Sequence, residues 1–416
     1  MPENAPAVGE LGRHEAAVSE LIARARREIP FYAEMHTGLT STTLADQPTC
    51  TKADLTGFGP LPLTGRPLSD MAWVSATSGT TGPRLFIGYS YADWEALGEQ
   101  YVHIAEALGL TPDDVLMNTH GAGLWIGHPS LNQLAHAAGA GVVPVGPTNA
   151  SQVMTWLHEL PVTLISATPS FMRVLVETAG AAGQDLSAIP LRLGLLGGEG
   201  APPALRRQVV AGLPENFRWQ DMYGSTETAG PILAFGDPTD QISGGVLNIN
   251  TDYFVIELLK PDVDEPVEPG EVGEITLTTP YREGSPLIRY RTRDLTSALV
   301  GQRGPSGLPL VKSLLGRIDD AMKVRGTLVY PSAIDDLVVR TLPPGAEWRI
   351  VLTREVGGND VMTIHVELDD GDQVKELGAD IRHRTQVRPV MKMVGAGSLQ
   401  RFDAKAKRVI DQRSGV

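Results

Sequence analysis

Three short segments of this 416-residue chain carry residue types suited to phosphate chemistry. The first is Thr77, Ser78, Gly79, Thr80, Thr81 and Gly82, small hydroxyl side chains and glycines set between two strand-like runs. Such a loop offers hydroxyls and unshielded backbone N–H groups that can wrap phosphate oxygens. By composition alone it is also an ordinary surface turn. The second segment is Leu196-Gly-Gly-Glu-Gly200, with Gly198 and Glu199 at its centre, and the third is Asp221-Met-Tyr-Gly-Ser-Thr-Glu227. Both fall just past apolar runs, and in open parallel sheets ligands bind beyond the carboxyl ends of strands, so all three are expected to face one crevice. Glu227 would offer a hard oxygen ligand to Mg2+, which reaches proteins through one or two carboxylates plus substrate phosphates. The bland alternative for Glu227 is an acid at a helix start.

The elements needed to position these loops can be read from the chain. An amphipathic stretch over Glu15 to Met35 predicts an opening helix. Apolar runs at Met71–Thr77, Asp114–Asn118, Gly141–Val145, Val162–Ala167, Leu191–Leu196 and Arg218–Met222 alternate with helical patterns, the signature of a mainly parallel sheet with helices on its faces, and Leu85–Tyr89 is expected to pair with the first. Ser90 is a plausible N-cap for a helix running to Leu108, and Pro202 and Pro203 suit a helix start. Beyond Gly244, closely spaced runs at Val246–Leu259, Gly273–Thr279 and Leu287–Tyr290 predict a mostly β subdomain. A small α+β unit follows, with strands near Trp348–Thr353 and Val361–Glu367 and a helix near Asp370–Arg384. Between them lie two charged segments, Arg289 to Asp294 and Gly316 to Gly326. On composition these read as a solvated salt-bridge strip, although an aspartate there could accept from ribose hydroxyls.

Composition narrows the function. The net charge of -14 repels polyanions, which argues against nucleic acid as a partner. Residues 381–413 run against this trend at +7. No apolar stretch approaches the ~20 residues of a membrane span, and the acidic, proline-bearing N-terminus is unlike a secretory signal, so a cytoplasmic protein is expected. A single cysteine, Cys50, precludes an internal disulfide and a Cys-rich metal site. The P-loop, dinucleotide, zincin and nucleophile-elbow signatures are missing.

Taken in order, eight segments make the chain similar to the adenylate-forming superfamily of acyl-coenzyme A synthetases, adenylation domains and luciferases, and within it to the phenylacetate-coenzyme A ligases. They are Ile29-Pro-Phe-Tyr-Ala-Glu34, Thr51-Lys-Ala-Asp-Leu55, Thr77 to Gly82, Gly197-Gly-Glu199, Asp221 to Glu227, Ile288 to Thr296, Gly316 to Gly326 with Pro331, and Lys405-Ala-Lys-Arg-Val-Ile-Asp411. The resemblance implies an α/β fold. A large N-terminal domain (residues 1–316) would combine parallel-rich sheets flanked by helices with a β subdomain, and a small mobile α+β domain (317–416) would act as a lid. It implies ATP, Mg2+ and coenzyme A as cofactors, a small acid as substrate and room for a homodimer.

Carried over by residue, Thr77 to Gly82 would cradle the ATP phosphates with help from Arg84, and Gly198 and Glu199 would line the nucleotide site. Tyr223 would stack on adenine, Thr226 would touch the α-phosphate and Glu227 would hold Mg2+. Asp294 would bind ribose, with Arg317 a nearby nucleotide contact, while Asp319 would be the hinge and Lys405 the mobile catalytic lysine. Trp125, His128, Phe171 and Met222 would line the acid pocket, where an aromatic side chain could stack on a ring. Each of these is equally a packing residue by composition.

The implied reaction is activation of a small, aromatic carboxylic acid as its acyl-adenylate, followed by transfer to coenzyme A. Two departures open alternatives. The usual lysine closing the phosphate loop is replaced by Pro83 and Arg84, whose forked guanidinium is not equivalent to an ammonium. Ala404 stands where a glycine normally precedes the catalytic lysine, which makes Lys407 a rival. The same core could serve ATP- and nitrite-dependent diazotisation of an aryl amine, or amide formation, or be a degenerate nucleotide-binding homologue.

Overall fold

The computed structural model describes residues 7–8, 11–77, 84–238, 244–343, 346–355, 358–400 and 408–413. At its centre lies a nine-stranded sheet. Its order is Ala298–Arg303, Pro309–Lys312, Val246–Ile249, Gly230–Gly236, Arg218–Ser225, Leu193–Gly197, Leu164–Ala167, Val115–Asn118 and Gly141–Val143. From Arg218–Ser225 to Gly141–Val143 every pairing is parallel, and the other half is antiparallel. The expected alternating region therefore forms, with helices Gly127–Ala137, Ala150–Glu159, Pro169–Ala181 and Pro203–Val210 as crossovers.

Adjacent residues on these strands feed two different cores. Leu116, Leu164 and Leu195 pack into one apolar cluster, while Met117, Ile165 and Leu196 pack into another on the opposite face. Burial on both faces is why these strands read as continuous apolar runs. The strand order reverses at Val115–Asn118, which sits between Gly141–Val143 and Leu164–Ala167, and such a reversal opens a crevice at the carboxyl ends of the strands.

Residues after Gly244 build most of the expected β subdomain and also add strands to the large sheet. The run Val246–Leu259 splits into Val246–Ile249, in the large sheet, and Val255–Leu259, in a five-stranded antiparallel sheet with Ala7–Val8, Gly273–Thr278, Tyr290–Thr296 and Gly316–Arg317. The expected strand Leu287–Tyr290 is displaced to Tyr290–Thr296. Leu287 and Ile288 are fully buried, but Arg289 sits at φ +45°, outside the extended region, so the ladder cannot begin before it. Likewise the opening helix breaks into Glu15–Glu28 and Pro30–Met35, because Pro30 drives Ile29 out of the helical region to ψ 112°.

The Ser90 cap forms as expected: Asp93 N donates to Ser90 Oγ at 3.1 Å, and Ser90 N donates to Asp93 Oδ2 at 2.9 Å. Asp93 also accepts from Glu283 N and Gly284 N at 2.7 and 2.8 Å, tying this helix start to a distant loop.

A separate core built on Ile334, Ile350, Ile364, Leu377 and Ile381 defines the C-terminal unit. Its four-stranded sheet runs Val390–Met393, Asp360–Val366, Trp348–Arg354, Val409–Asp411, with helices Ser332–Thr341 and Gly371–Thr385. No helix among the described residues is long and apolar enough to cross a membrane.

Candidate active site

The strand Arg218–Ser225 and its turn into Gly230–Gly236 form the spine of the site. Close packing makes this turn depend on glycine: a Cβ on Gly224 would lie 1.9 Å from the Gly230 carbonyl oxygen. Ala229 takes a left-handed conformation at φ +69°, a cost of order 1 kcal/mol for a residue with a side chain. The turn is held by Ser225 N donating to Thr228 Oγ1 at 2.8 Å.

On the spine, the Tyr223 hydroxyl donates to Asp294 Oδ2 at 2.7 Å, and Arg317 Nη1 donates to Asp294 Oδ1 at 2.9 Å. The second contact follows from register, since Asp294 and Arg317 are direct partners across two strands. Burial, reinforced by Asp294, holds the Tyr223 phenol well above its usual range, so it stays a neutral donor. Arg317 reaches on to Asp319 at 3.4 Å, and Arg293 Nε meets Asp319 Oδ1 at 3.0 Å. Tyr223, Asp294, Arg317 and Asp319 thus form one connected set. Arg293, which no local spacing marks, joins it from a left-handed backbone at φ +67° and also pairs with Asp262 at 2.6 Å.

Thr226 and Glu227 form a second set in the same turn. Both are buried. Tyr290 donates its hydroxyl to Glu227 Oε1 at 3.1 Å, and Glu227 Oε2 makes no hydrogen bond among the described residues. The Tyr89 hydroxyl donates to the Thr226 carbonyl and Arg282 donates to the Glu227 carbonyl. The Arg282 guanidinium lies 5.4 Å from the centre of the Tyr89 ring. Tyr89, Arg282 and Tyr290 escaped the sequence reading because they come from three separate elements, and no local spacing marks them.

The Thr77 hydroxyl accepts from Leu85 N at 3.0 Å, while Thr77 N donates to Leu85 O at 2.9 Å. Thr77 is therefore a clasp at the base of the loop. Ser78, Gly79, Thr80, Thr81 and Gly82 lie outside the described residues, as do Lys405 and Lys407. Arg84 is described and exposed.

Gly198 adopts φ +86°, a turn open to glycine, and delivers Glu199, whose Oε1 accepts from Ser170 N at 2.6 Å. That contact joins the loop to the start of the helix bearing Phe171, which is half-buried. Met222 is a core residue, 4% exposed. At the strand-order reversal the Trp125 ring lies 4.6 Å from that of His120, and His128 Nδ1 is 2.8 Å from the His120 carbonyl. Burial, with His128 beside it, holds the His120 imidazole down at about 3, so it stays neutral.

The expected solvated strip at 289–294 is not what the fold builds. Arg289 and Arg291 are buried. Arg289 makes a two-pronged contact with Glu257 at 3.0 and 3.1 Å, and Arg291 pairs with Glu274, itself fully buried. These pairs fix the strand that presents Asp294.

A family model described as AMP-binding enzyme matches residues 19–282, and one described as AMP-binding enzyme C-terminal domain matches residues 326–413. The chain belongs to the AMP-binding enzyme family. It is 30% identical over 379 residues to the phenylacetate-coenzyme A ligase of Thermus thermophilus, covering 88% of this chain and 83% of that one. The Escherichia coli phenylacetate-coenzyme A ligase is 29% identical over 378 residues, covering 88% and 85%.

Among solved structures, a 2-hydroxyisobutyryl-CoA ligase in its postadenylation state overlays with a TM-score of 0.83 at 23% identity, covering 96% of this chain and 89% of that one. The same ligase in its thioesterification state gives 0.68 at 24% identity, covering 97% and 89%. This AMP-binding enzyme is an adenylate-forming acid–thiol ligase, and its cofactor set is ATP, Mg2+ and coenzyme A. The donors present fit that set. Glu227 supplies one buried carboxylate with one oxygen already fixed, the arrangement expected where Mg2+ is shared with substrate phosphates.

Proposed function

We propose that this enzyme converts a small aromatic carboxylic acid to its acyl-adenylate and then to its coenzyme A thioester. The observation that carries this reading is the pairing of the Tyr223–Asp294–Arg317 set with the buried Glu227 in one strand-turn unit, in a chain 30% identical to a phenylacetate-coenzyme A ligase. In the first step the acid's carboxylate oxygen attacks the α-phosphorus of ATP, the bond to the bridging oxygen breaks, and pyrophosphate leaves. In the second the thiol attacks the acyl carbon and AMP departs.

Asp294 accepts from ribose hydroxyls and Arg317 keeps it aimed. Tyr223 lays its ring along adenine while its hydroxyl stays on Asp294. Thr226 orients the α-phosphate, and Mg2+ held by Glu227 would offset phosphate charge. Trp125, His128 and Phe171, around the strand-order reversal, line the acid pocket, with Met222 as its floor. Lys405 supplies the mobile cation. The unit boundary falls at 316/317 and the chain turns about Asp319.

The test is a panel of aryl and aliphatic acids with ATP and Mg2+, scored by AMP and pyrophosphate. Aryl acids should give the fastest release. ADP and phosphate with every acid would reject adenylation, while mass spectrometry of reactions offered coenzyme A, nitrite or an amine separates the acceptors. A mutational check accompanies it: Asp294→Ala should raise the KM for ATP by roughly 10- to 100-fold through loss of charge-assisted hydrogen bonds. Tyr223→Phe should raise it several-fold at most.

A further inference from the structure

A buried carboxylate, Glu347, ties the C-terminal unit to the larger one. Arg173, on the helix Pro169–Ala181, places Nη2 2.6 Å from Glu347 Oε1. Arg408 donates to the other oxygen of the same carboxylate. The Glu347 side chain is 6% exposed, against 14% for Arg173 and 20% for Arg408. Burial alone would raise Glu347, but Arg408 and Arg173 outweigh it and hold the carboxyl below its usual range, so the group is an anion shared by two cations. Arg408 is further fixed over the Trp348 ring at 5.2 Å, and it is the residue directly after the segment containing Lys405.

The helix carrying Arg173 is also the one whose Ser170 N–H holds Glu199, so the clasp and the proposed site share a rigid support. Nearby, helix Pro203–Val210 packs against helix Ser332–Thr341, with Ala204 N 3.4 Å from Asp336 Oδ1.

We propose that Arg173 is a positioning residue for the adenylation half-reaction: by holding Glu347 it keeps the C-terminal unit, Arg408 included, in the arrangement seen here. Arg173 and Glu347 stand on different units. Any turn of the small unit about Asp319 separates them, whereas Arg408 and Glu347 travel together. The present arrangement matches the postadenylation form of the 2-hydroxyisobutyryl-CoA ligase better than its thioesterification form. The clasp therefore biases one of two arrangements of a bistable pair of units. This inference rests on the adenylating function proposed above.

Arg173→Ala removes the crossing contact, with a within-helix pair to Glu177 at 3.8 Å, and leaves the Glu347–Arg408 pair to keep the small core intact. Pyrophosphate exchange with ATP, Mg2+ and the acid the wild type uses best should fall roughly 5- to 50-fold, within the usual span of a coupling between two states. Conversion of supplied acyl-adenylate and coenzyme A to thioester should be unchanged or faster. Arg173→Lys should recover part of the exchange.

Spin labels at Ser187→Cys and Lys375→Cys, both exposed sites, with native Cys50 buried, give a readout independent of activity. The Arg173→Ala protein should lose population at the wild-type distance. Unchanged exchange overturns the positioning role whatever the distances, and an equal loss in both half-reactions marks Arg173 as merely structural. Wild-type protein that exchanges with no acid counts against the functional reading, and the distance measurement then still decides whether Arg173 holds the units together.

Discussion

Lys405→Ala is expected to slow acyl-adenylate formation by roughly 10^3-fold, a barrier increase of about 4 kcal/mol. The expectation follows from where charge develops. As the acid attacks, negative charge gathers on the α-phosphoryl oxygens and on the departing pyrophosphate, and a cation already placed there costs no reorganisation. The basic tail, +7 over residues 381–413 in a chain of net charge -14, is suited to bring that cation over a triphosphate. Because the thiol-transfer step expels AMP and breaks no phosphoanhydride, thioester formation from supplied acyl-adenylate should be affected far less. Pyrophosphate exchange and thioester formation, measured separately, check both parts. An unaffected exchange rate moves the role to Lys407.

Arg289→Ala is expected to cost about 3–5 kcal/mol of stability, the usual penalty for stripping one partner from a buried ion pair. Arg289 donates to both oxygens of Glu257, to Gln47 O at 2.6 Å, and reaches Asp264 at 2.7 Å. Without it, Glu257 would be a charge with its solvent removed and its counter-ion gone. Burial already pushes Glu257 above the usual carboxylate range despite Arg289. A group raised in the folded state prefers its proton there, so the stability it costs is absent below the unfolded pKa and reaches its full size above the folded one. The defect of Arg289→Ala should therefore be larger at pH 8 than at pH 5. Urea denaturation at the two pH values is the measurement, and a loss under 1 kcal/mol at pH 8 would contradict the burial argument. Glu257→Gln combined with Arg289→Ala should restore part of the loss, because the buried charge is then gone and Asp264, 43% exposed, is left in contact with solvent.

Local chemistry made much of the site legible in advance. Ser90 ahead of residues at helical spacing announces a capped helix, and that cap forms, completed by Asp93. The run Asp221 to Glu227 sits where an apolar strand gives way to small polar residues, so a turn past a strand end was readable, although the strand runs on to Ser225. The antiparallel hairpin Met71–Ala76 with Phe86–Ser90 was equally plain from two apolar runs flanking a glycine-rich loop. The strands Gly230–Gly236, Ala298–Arg303 and Pro309–Lys312 were not, because glycine, proline and charged residues within them mask any alternation.

The order and kind of most secondary-structure elements, and the ordered segments that carry the family resemblance, are written in residue type and short-range spacing, which need no partner to express themselves. Which charges would be buried did not. Arg289 and Arg291 look like surface residues until Glu257 and Glu274 come to meet them from strands 32 and 17 positions away. The same is true of Tyr290 on Glu227, Arg282 under Tyr89 and Arg173 on Glu347. Ion pairing and hydrogen bonding fall off within a few ångströms, so their partners are named only once the sheet has brought separate strands into register.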